Sequence, residues 1–419
     1  MDIRRFDQAS QIILTVVPEH NILFSRLREL LKAENIPTVT VVGKYNHGKS
    51  RLLNALIGED IFSVADKRET TVLSEHIKQH IRWLDAPGLD ADVDRQDDQH
   101  AQNAIWTKAD IRLFIHSLKE GELDPLEIDL FDQLQQDQQI TQRQTLVVLT
   151  QLDQIQDAEV LSHIIKHIQI QIPSATLLAV SASRYNKGIN EAKPILLNRS
   201  GIPELRHALA QQLEQVPRIR THEKSLIFSH TKTSLLILQT QVQTQLQQLR
   251  IQQQQQREAF DRDLNQVLDK ICKDLSPVMQ VSGQDLSLEP DSFANMYKVT
   301  AGKLDRNRIQ VAYSRACIDL NSHLIRYGVV GLPNAQKTFV RSLDTVIMAV
   351  LGISVKRRKD LDYIFLQASG RERLRHEFTY YFEQSSERQG SQAKLLQLKQ
   401  RKSAIEAALL ELNDLDINL

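Results

Sequence analysis

Residues 43–50 read Gly-Lys-Tyr-Asn-His-Gly-Lys-Ser, between the β-branched run Thr38–Val42 and a stretch predicted helical over Lys49–Ile57. The octapeptide fits GxxxxGK[ST] in a strand–loop–helix context, and the chemistry needs those residue types. Glycine lets the backbone curl so that successive N–H groups face a β-phosphate. Lys49 brings a point charge to the β- and γ-phosphates, and the Ser50 hydroxyl is a ligand for Mg²⁺.

Outward from this loop, short apolar runs alternate with helical stretches. Strands are predicted at Thr38–Val42, Ile77–Leu84, Ile111–His116, Thr145–Leu149 and Thr176–Val180. Helices are predicted at Lys49–Ile57, Gln99–Lys108, Pro125–Gln136, Ala158–Gln171 and Pro203–Val216. Near-continuous apolar strands separated by helices imply a mostly parallel α/β sheet with helices on both faces.

Three further motifs fall at predicted strand ends. Trp83-Leu-Asp85-Ala-Pro87-Gly88 places a carboxylate where it can support Mg²⁺ and a glycine N–H where it can sense a γ-phosphate. In Leu149-Thr-Gln-Leu-Asp153 the aspartate can accept hydrogen bonds from guanine N1 and N2, which adenine cannot supply. Val180-Ser-Ala-Ser183 can present a backbone N–H to guanine O6. Each of the last two is, alone, equally a cap or a turn. In sequence order at strand C-termini, all four line one crevice, where open α/β sheets bind ligands.

These residues resemble the G1, G3, G4 and G5 boxes of the translation-factor-related class of P-loop GTPases, over roughly residues 38–215. The resemblance implies GTP/GDP and Mg²⁺ as ligands and GTP hydrolysis as the activity. The implied nucleotide contacts are Gly43, Asn46, His47, Gly48, Lys49, Ser50 and Arg51, with Gln151 and Asp153 and with Ser181, Ala182 and Ser183 at the base. Ser50 and Asp85 are the implied metal residues, joined by a G2 threonine. Glu69-Thr70-Thr71 supplies two candidates, Thr70 and Thr71, between which the sequence does not choose; strand-edge polarity is their other reading. Lys49, Asn46, Gly88 and the G2 threonine are the implied catalytic groups.

Three positions depart from the common pattern. Gln151 stands where the G4 lysine covers the base, and Leu89 where small Ras-like GTPases carry a catalytic glutamine. Asn46 matches GxxNxGKS loops, whose asparagine helps hold K⁺ or Na⁺ against the phosphates in place of an arginine finger; stabilising the loop turn is its alternative role.

Beyond residue 217 the β signal nearly vanishes. Val242, Leu246, Leu249, Gln253, Gln256, Phe260, Leu264, Val267, Ile271 and Leu275 recur at three- and four-residue spacing, the seam of a long helix in a bundle or coiled coil. Its Gln252–Gln256 tract reads as a polar helix face rather than an aggregating one. Further helices are expected at 291–326, 334–351, 358–386 and 390–413, with Pro277, residues 282–284 and Pro333 as connectors. Amphipathic helices broken at Pro18 precede the sheet. The expected domains are 1–37, a helical segment packing with the C-terminal helices; 38–217, the G domain; and 218–419, a helical bundle or stalk with a tip near 327–359.

This order resembles bacterial dynamin-like GTPases, which implies a nucleotide-dependent homodimer or oligomer, movement of the stalk and a peripheral membrane or protein partner. The apolar runs 327–333 and 345–355 followed by Lys356-Arg-Arg-Lys359 suit an anionic bilayer surface; a core helix with a solvated basic end is the alternative. A slow regulatory switch recruiting a protein partner is the second functional reading, and a ribosome-assembly role ranks below it. Lys+Arg and Asp+Glu balance at 52 each, so charge makes no case for nucleic acid. Cys272 and Cys317 lack metal or disulfide spacing. With neither a signal-peptide pattern nor a spanning apolar run, the expectation is a cytoplasmic protein, peripheral at most to a membrane.

Overall fold

The computed structural model describes residues 3–32, 36–62, 74–85, 103–290, 292–329 and 357–417. The chain divides into two compact units, Met1–Ile237 with Ala404–Leu419, and Leu238–Ser403.

The first unit opens with α1 (Ile3–Val16), a tight turn at Pro18–His20 and α2 (Asn21–Leu31). Proline starts the turn because its missing N–H costs nothing there. Six strands follow: β1 (Thr38–Val42), β2 (Ser74–Lys78), β3 (Ile81–Asp85), β4 (Ile111–Ser117), β5 (Gln144–Thr150) and β6 (Leu177–Ala179). They form one sheet in the order β2-β3-β1-β4-β5-β6, parallel except for β2. β1 and β4 are buried along their whole length, as strands covered on both faces must be.

Helices that accompany the sheet include α3 (Lys49–Ile57), α4 (Pro125–Thr141), α5 (Ala158–Gln171), α6 (Ala182–Asn190), α7 (Pro194–Asn198) and the start of α8 (Ile202–Met279). Leu52, Leu53 and Leu56 of α3 pack with Leu205 and Leu209 of α8 on Val39, Leu113 and Val148. Phe131 and Leu134 of α4 and Ile168 of α5 pack on Val42, Phe114 and Leu149. Successive strand residues thus supply opposite cores.

Two expectations are corrected. Ile77–Leu84 is not one strand but runs from the end of β2 through a turn into β3, a hairpin. Gln79 and His80 both take left-handed φ, 52° and 57°, which is the type I′ geometry that matches strand twist. No glycine or asparagine announces it. The expected helix over Pro203–Val216 does not stop at Pro217 either, because α8 continues unbroken for 78 residues. Val216 and Ile219 are buried on either side of that proline, and their packing offsets the lost helix bond.

A buried ionic network braces the sheet at the start of β4. Arg26 of α2 donates to Glu223 of α8 at 2.6 and 3.2 Å, to Asp110 at 2.9 Å and to the Thr107 carbonyl at 3.1 Å. Asp110 also accepts from the Thr38 N–H at 2.7 Å and from Arg220 at 2.6 Å. Burial opposes the Asp110 charge, but Arg26 and Arg220 hold its carboxyl below the usual range. At the N-terminus, Arg5 pairs with Glu411 at 2.7 Å.

The second unit contains the rest of α8 with α9 (Ala301–Arg326), α10 (Ala368–Glu383) and the first part of α11 (Ser386–Ile417). Phe260, Leu264, Leu268 and Ile271 of α8 meet Leu320 and Leu324 of α9 and Leu374 and Phe378 of α10. The glutamine tract is a polar seam: Gln253 donates to Ser391 and Gln256 to Glu387, each at 2.9 Å. α9 begins at 301 rather than 291 because Thr300 caps it, accepting from the Lys303 N–H at 3.2 Å. Residues 330–356, with most of the expected apolar tip, lie outside the described residues. Of the adjoining basic cluster, Arg358 is held by Asp285 and Asp305. Among the described residues no helix is long and apolar enough to cross a membrane.

Candidate nucleotide site

The loop after β1 turns where its glycines allow. A Cβ on Gly43 would lie 2.2 Å from the Ile115 carbonyl oxygen, so only glycine lets the loop pass β4. Gly48 caps α3 with φ 81°, aiming the helix N-terminus and its free N–H groups into the loop. Lys49 curls over it, donating to the carbonyls of Gly43 at 3.0 Å and Lys44 at 2.7 Å.

At the second position of α3, Ser50 Oγ donates to Asp85 Oδ2 at 2.6 Å. Asp85 is 2% exposed, and among the described residues its Oδ1 has no hydrogen-bond partner. Burial pushes its carboxyl up, against the Ser50 hydrogen bond and the Lys49 charge. A buried carboxylate with a spare oxygen beside a serine hydroxyl is the donor set that suits a hard oxygen-seeking cation. The residues present therefore fit Mg²⁺.

The base-side motifs converge on the same loop. Gln151, in left-handed conformation at φ 59°, donates through Nε2 to the Asn46 carbonyl at 2.9 Å. Thr150 Oγ1 donates to the His47 carbonyl at 2.6 Å. Asp153 Oδ1 accepts from Ser181 Oγ at 2.5 Å, and Ser181 also caps α6 by accepting from the Arg184 N–H at 3.0 Å. The structure thus brings together Gly43, Asn46, Gly48, Lys49, Ser50, Asp85, Gln151, Asp153 and Ser181. Ala182 opens α6, and Ser183 and Arg51 are exposed. Thr70, Thr71, Gly88 and Leu89 lie outside the described residues.

His47, an expected nucleotide contact of the loop, keeps its ring in the interior. Its ring is 1% exposed and turned inward, Nδ1 lying 3.3 Å from the Ile115 carbonyl and 3.5 Å from Glu127 Oε1. Only its main chain faces the loop side. Sequence reasoning also missed the anchors on α4. Asp124, which caps that helix, pairs with Lys44, and Glu127 completes the capping box while facing His47 and His116. Asp124-Pro-Leu-Glu127 was legible as a helix start. Its second role needed coordinates.

Comparison with known proteins accords with this geometry. A family profile described as 50S ribosome-binding GTPase matches residues 38–151. The uncharacterized protein ACIAD1443 of Acinetobacter baylyi is 51% identical over 416 residues, 99% of each chain. GTPase Der of Streptococcus mutans is 35% identical over 97 residues, 21% of this chain and 22% of that protein. Among solved structures, an oligomerised bacterial dynamin pair aligns over 97% of this chain and 79% of that one, at 16% identity and a TM-score of 0.38. That overlap is too loose to carry any arrangement of the helices.

Proposed function

Since this chain belongs to one family with the Acinetobacter baylyi protein and is a P-loop GTPase that hydrolyses GTP to GDP and phosphate, we propose that it works as a nucleotide-driven mechanical protein. GTP-dependent association of G domains is coupled in this reading to movement of the helical unit, at a membrane or on a protein partner. The observation that carries the nucleotide chemistry is the 2.6 Å Ser50–Asp85 contact beside the Lys49 loop. Support for the coupling comes from α8, a single helix whose residues belong to both compact units.

In this reading Ser50 and Asp85 hold Mg²⁺, with Thr70 or Thr71 joining them. Held there, Mg²⁺ would supply positive charge against the triphosphate. Lys49 leaves the carbonyls of Gly43 and Lys44 for the phosphate oxygens, while the loop N–H groups and the α3 N-terminus bind the β-phosphate. Asp153, oriented by Ser181, accepts from guanine N1 and N2. Asn46 holds K⁺ or Na⁺ at the phosphates.

Lys49→Ala is expected to abolish hydrolysis without unfolding the protein, and retained turnover would defeat the assignment. Sizing in solution with GDP and with GDP plus aluminium fluoride tests the coupling. A larger species only with the transition-state mimic, and a specific activity that rises with concentration, support it. A constant slow rate and an unchanged size point instead to a regulatory switch.

A further inference from the structure

Three buried side chains from separate elements converge beside the phosphate loop. They are His47 of the loop after β1, His116 of β4 and Glu127 in the first turn of α4, 1%, 0% and 4% exposed. Their donor atoms all lie within 4.8 Å of one another. We propose that His47, His116 and Glu127 bind one zinc-type divalent cation, distinct from the Mg²⁺ of the Ser50–Asp85 pair.

The hydrogen bonds around the rings carry this. His116 Nε2 lies 3.0 Å from the Gly121 carbonyl, which can only accept, so Nε2 bears the proton. That leaves the Nδ1 lone pair aimed at Glu127 Oε1, 2.9 Å away. The other oxygen of Glu127 is engaged by the Asp124 N–H at 3.1 Å. Two acceptors therefore face each other away from water, and a positive charge must lie between them. A ring held by a backbone carbonyl through its far N–H, with the near nitrogen free, is the usual setting of a metal-bound histidine.

His47 completes the donor set. Its Nδ1 is 3.5 Å from the same Glu127 oxygen, and its Nε2 faces the Glu120 carboxylate at 3.9 Å. Ligand separations of 2.9 and 3.5 Å bracket the roughly 3.3 Å edge of a tetrahedron built on zinc bonds of about 2.0 Å. Without metal, His47 Nδ1 lies 3.3 Å from the Ile115 carbonyl and bears its proton toward that acceptor, so binding the ion here exchanges that proton for the metal. Two imidazoles and one carboxylate suit zinc over magnesium, which takes oxygen ligands. The competing arrangement is a proton between His116 and Glu127 with His47 donating to the Ile115 carbonyl; a metal instead engages both rings at once. Bound there, the ion ties the loop to β4 and α4.

The test uses the full chain carrying His163→Ala and His167→Ala, which removes an exposed histidine pair, with nitrogens 3.1 Å apart, as a second source of bound zinc. The protein is stripped with chelator, reloaded with Zn²⁺, freed of excess and assayed for metal. About one zinc per chain is expected, falling to near zero on adding His116→Ala or Glu127→Gln, with folding followed by circular dichroism. X-ray absorption of the zinc-loaded parent, which needs no further substitution, should show imidazole scattering from two rings. Substoichiometric zinc, equal retention by His116→Ala, or a zinc edge without imidazole neighbours would overturn the proposal and leave a proton as the occupant.

Discussion

Gln151 Nε2 donates to the main-chain carbonyl of Asn46 at 2.9 Å, so the residue that replaces the usual G4 lysine ties the base-binding corner to the phosphate loop. A neutral hydrogen bond of this kind contributes about 1 kcal/mol net. Gln151→Ala should therefore weaken GDP binding by roughly fivefold with little change in kcat. Calorimetric titration measures it, and an unchanged Kd would show the contact to be idle.

Asn46 itself bears on the proposed role of a monovalent cation. Turnover should be faster in potassium than in an equal concentration of a large organic cation that cannot enter the loop. Asn46→Ala should erase that difference. Equal rates for the parent in both salts would remove the asparagine from the chemistry.

The proposed guanine reader is Asp153, whose Oδ1 accepts from Ser181 Oγ at 2.5 Å. A carboxylate accepts twice from guanine, whereas an amide accepts once and donates once. Asp153→Asn should lower GTP affinity by about 100-fold or more, because the base would leave polar groups unpaired. The same variant should gain affinity for xanthosine triphosphate, which carries an oxygen in place of the 2-amino group. Competition binding with the two nucleotides checks the exchange.

The Arg26 network is a matter of stability rather than catalysis. Removing that guanidinium leaves Asp110 and Glu223 buried, although Arg220 and Arg143 remain beside them. Arg26→Leu should cost about 3 kcal/mol, the lower end for breaking a buried pair. Urea unfolding would show it as a lower midpoint, while a loss below about 1 kcal/mol would mean that the remaining arginines suffice.

In the helical unit, His323 is buried against Phe260 and Tyr327, and burial pushes its pKa down to about 4 from 6.5. Between those values the unfolded chain takes up a proton that the folded one refuses. The resulting stability is complete above pH 6.5 and is lost as pH falls toward 4, on the order of 3 kcal/mol in all. His323→Leu should flatten this part of the pH dependence. Unfolding curves for both proteins at pH 7 and pH 4.5 are the measurement, and parallel losses would assign the acid sensitivity to other groups.

By itself the sequence determined the chemistry of the loop and the class of sheet. Gly43, Gly48, Lys49 and Ser50 act through a backbone shape that eight consecutive residues specify, and β1 and β4 announce themselves as strands through clustered β-branched and apolar residues. The lengths of α3 and α5 were legible for the same local reason. Tertiary structure alone decided what meets across the chain. Glu127 turns from a helix cap into the carboxylate facing His47 and His116, and Arg26 finds Asp110 and Glu223. The β2–β3 turn and the passage of α8 through Pro217 belong there too, since pairing and packing supplied what local propensity withheld. A periodic pattern records which face of an element is covered, but a polar side chain carries no mark of its partner until the fold brings both out of water.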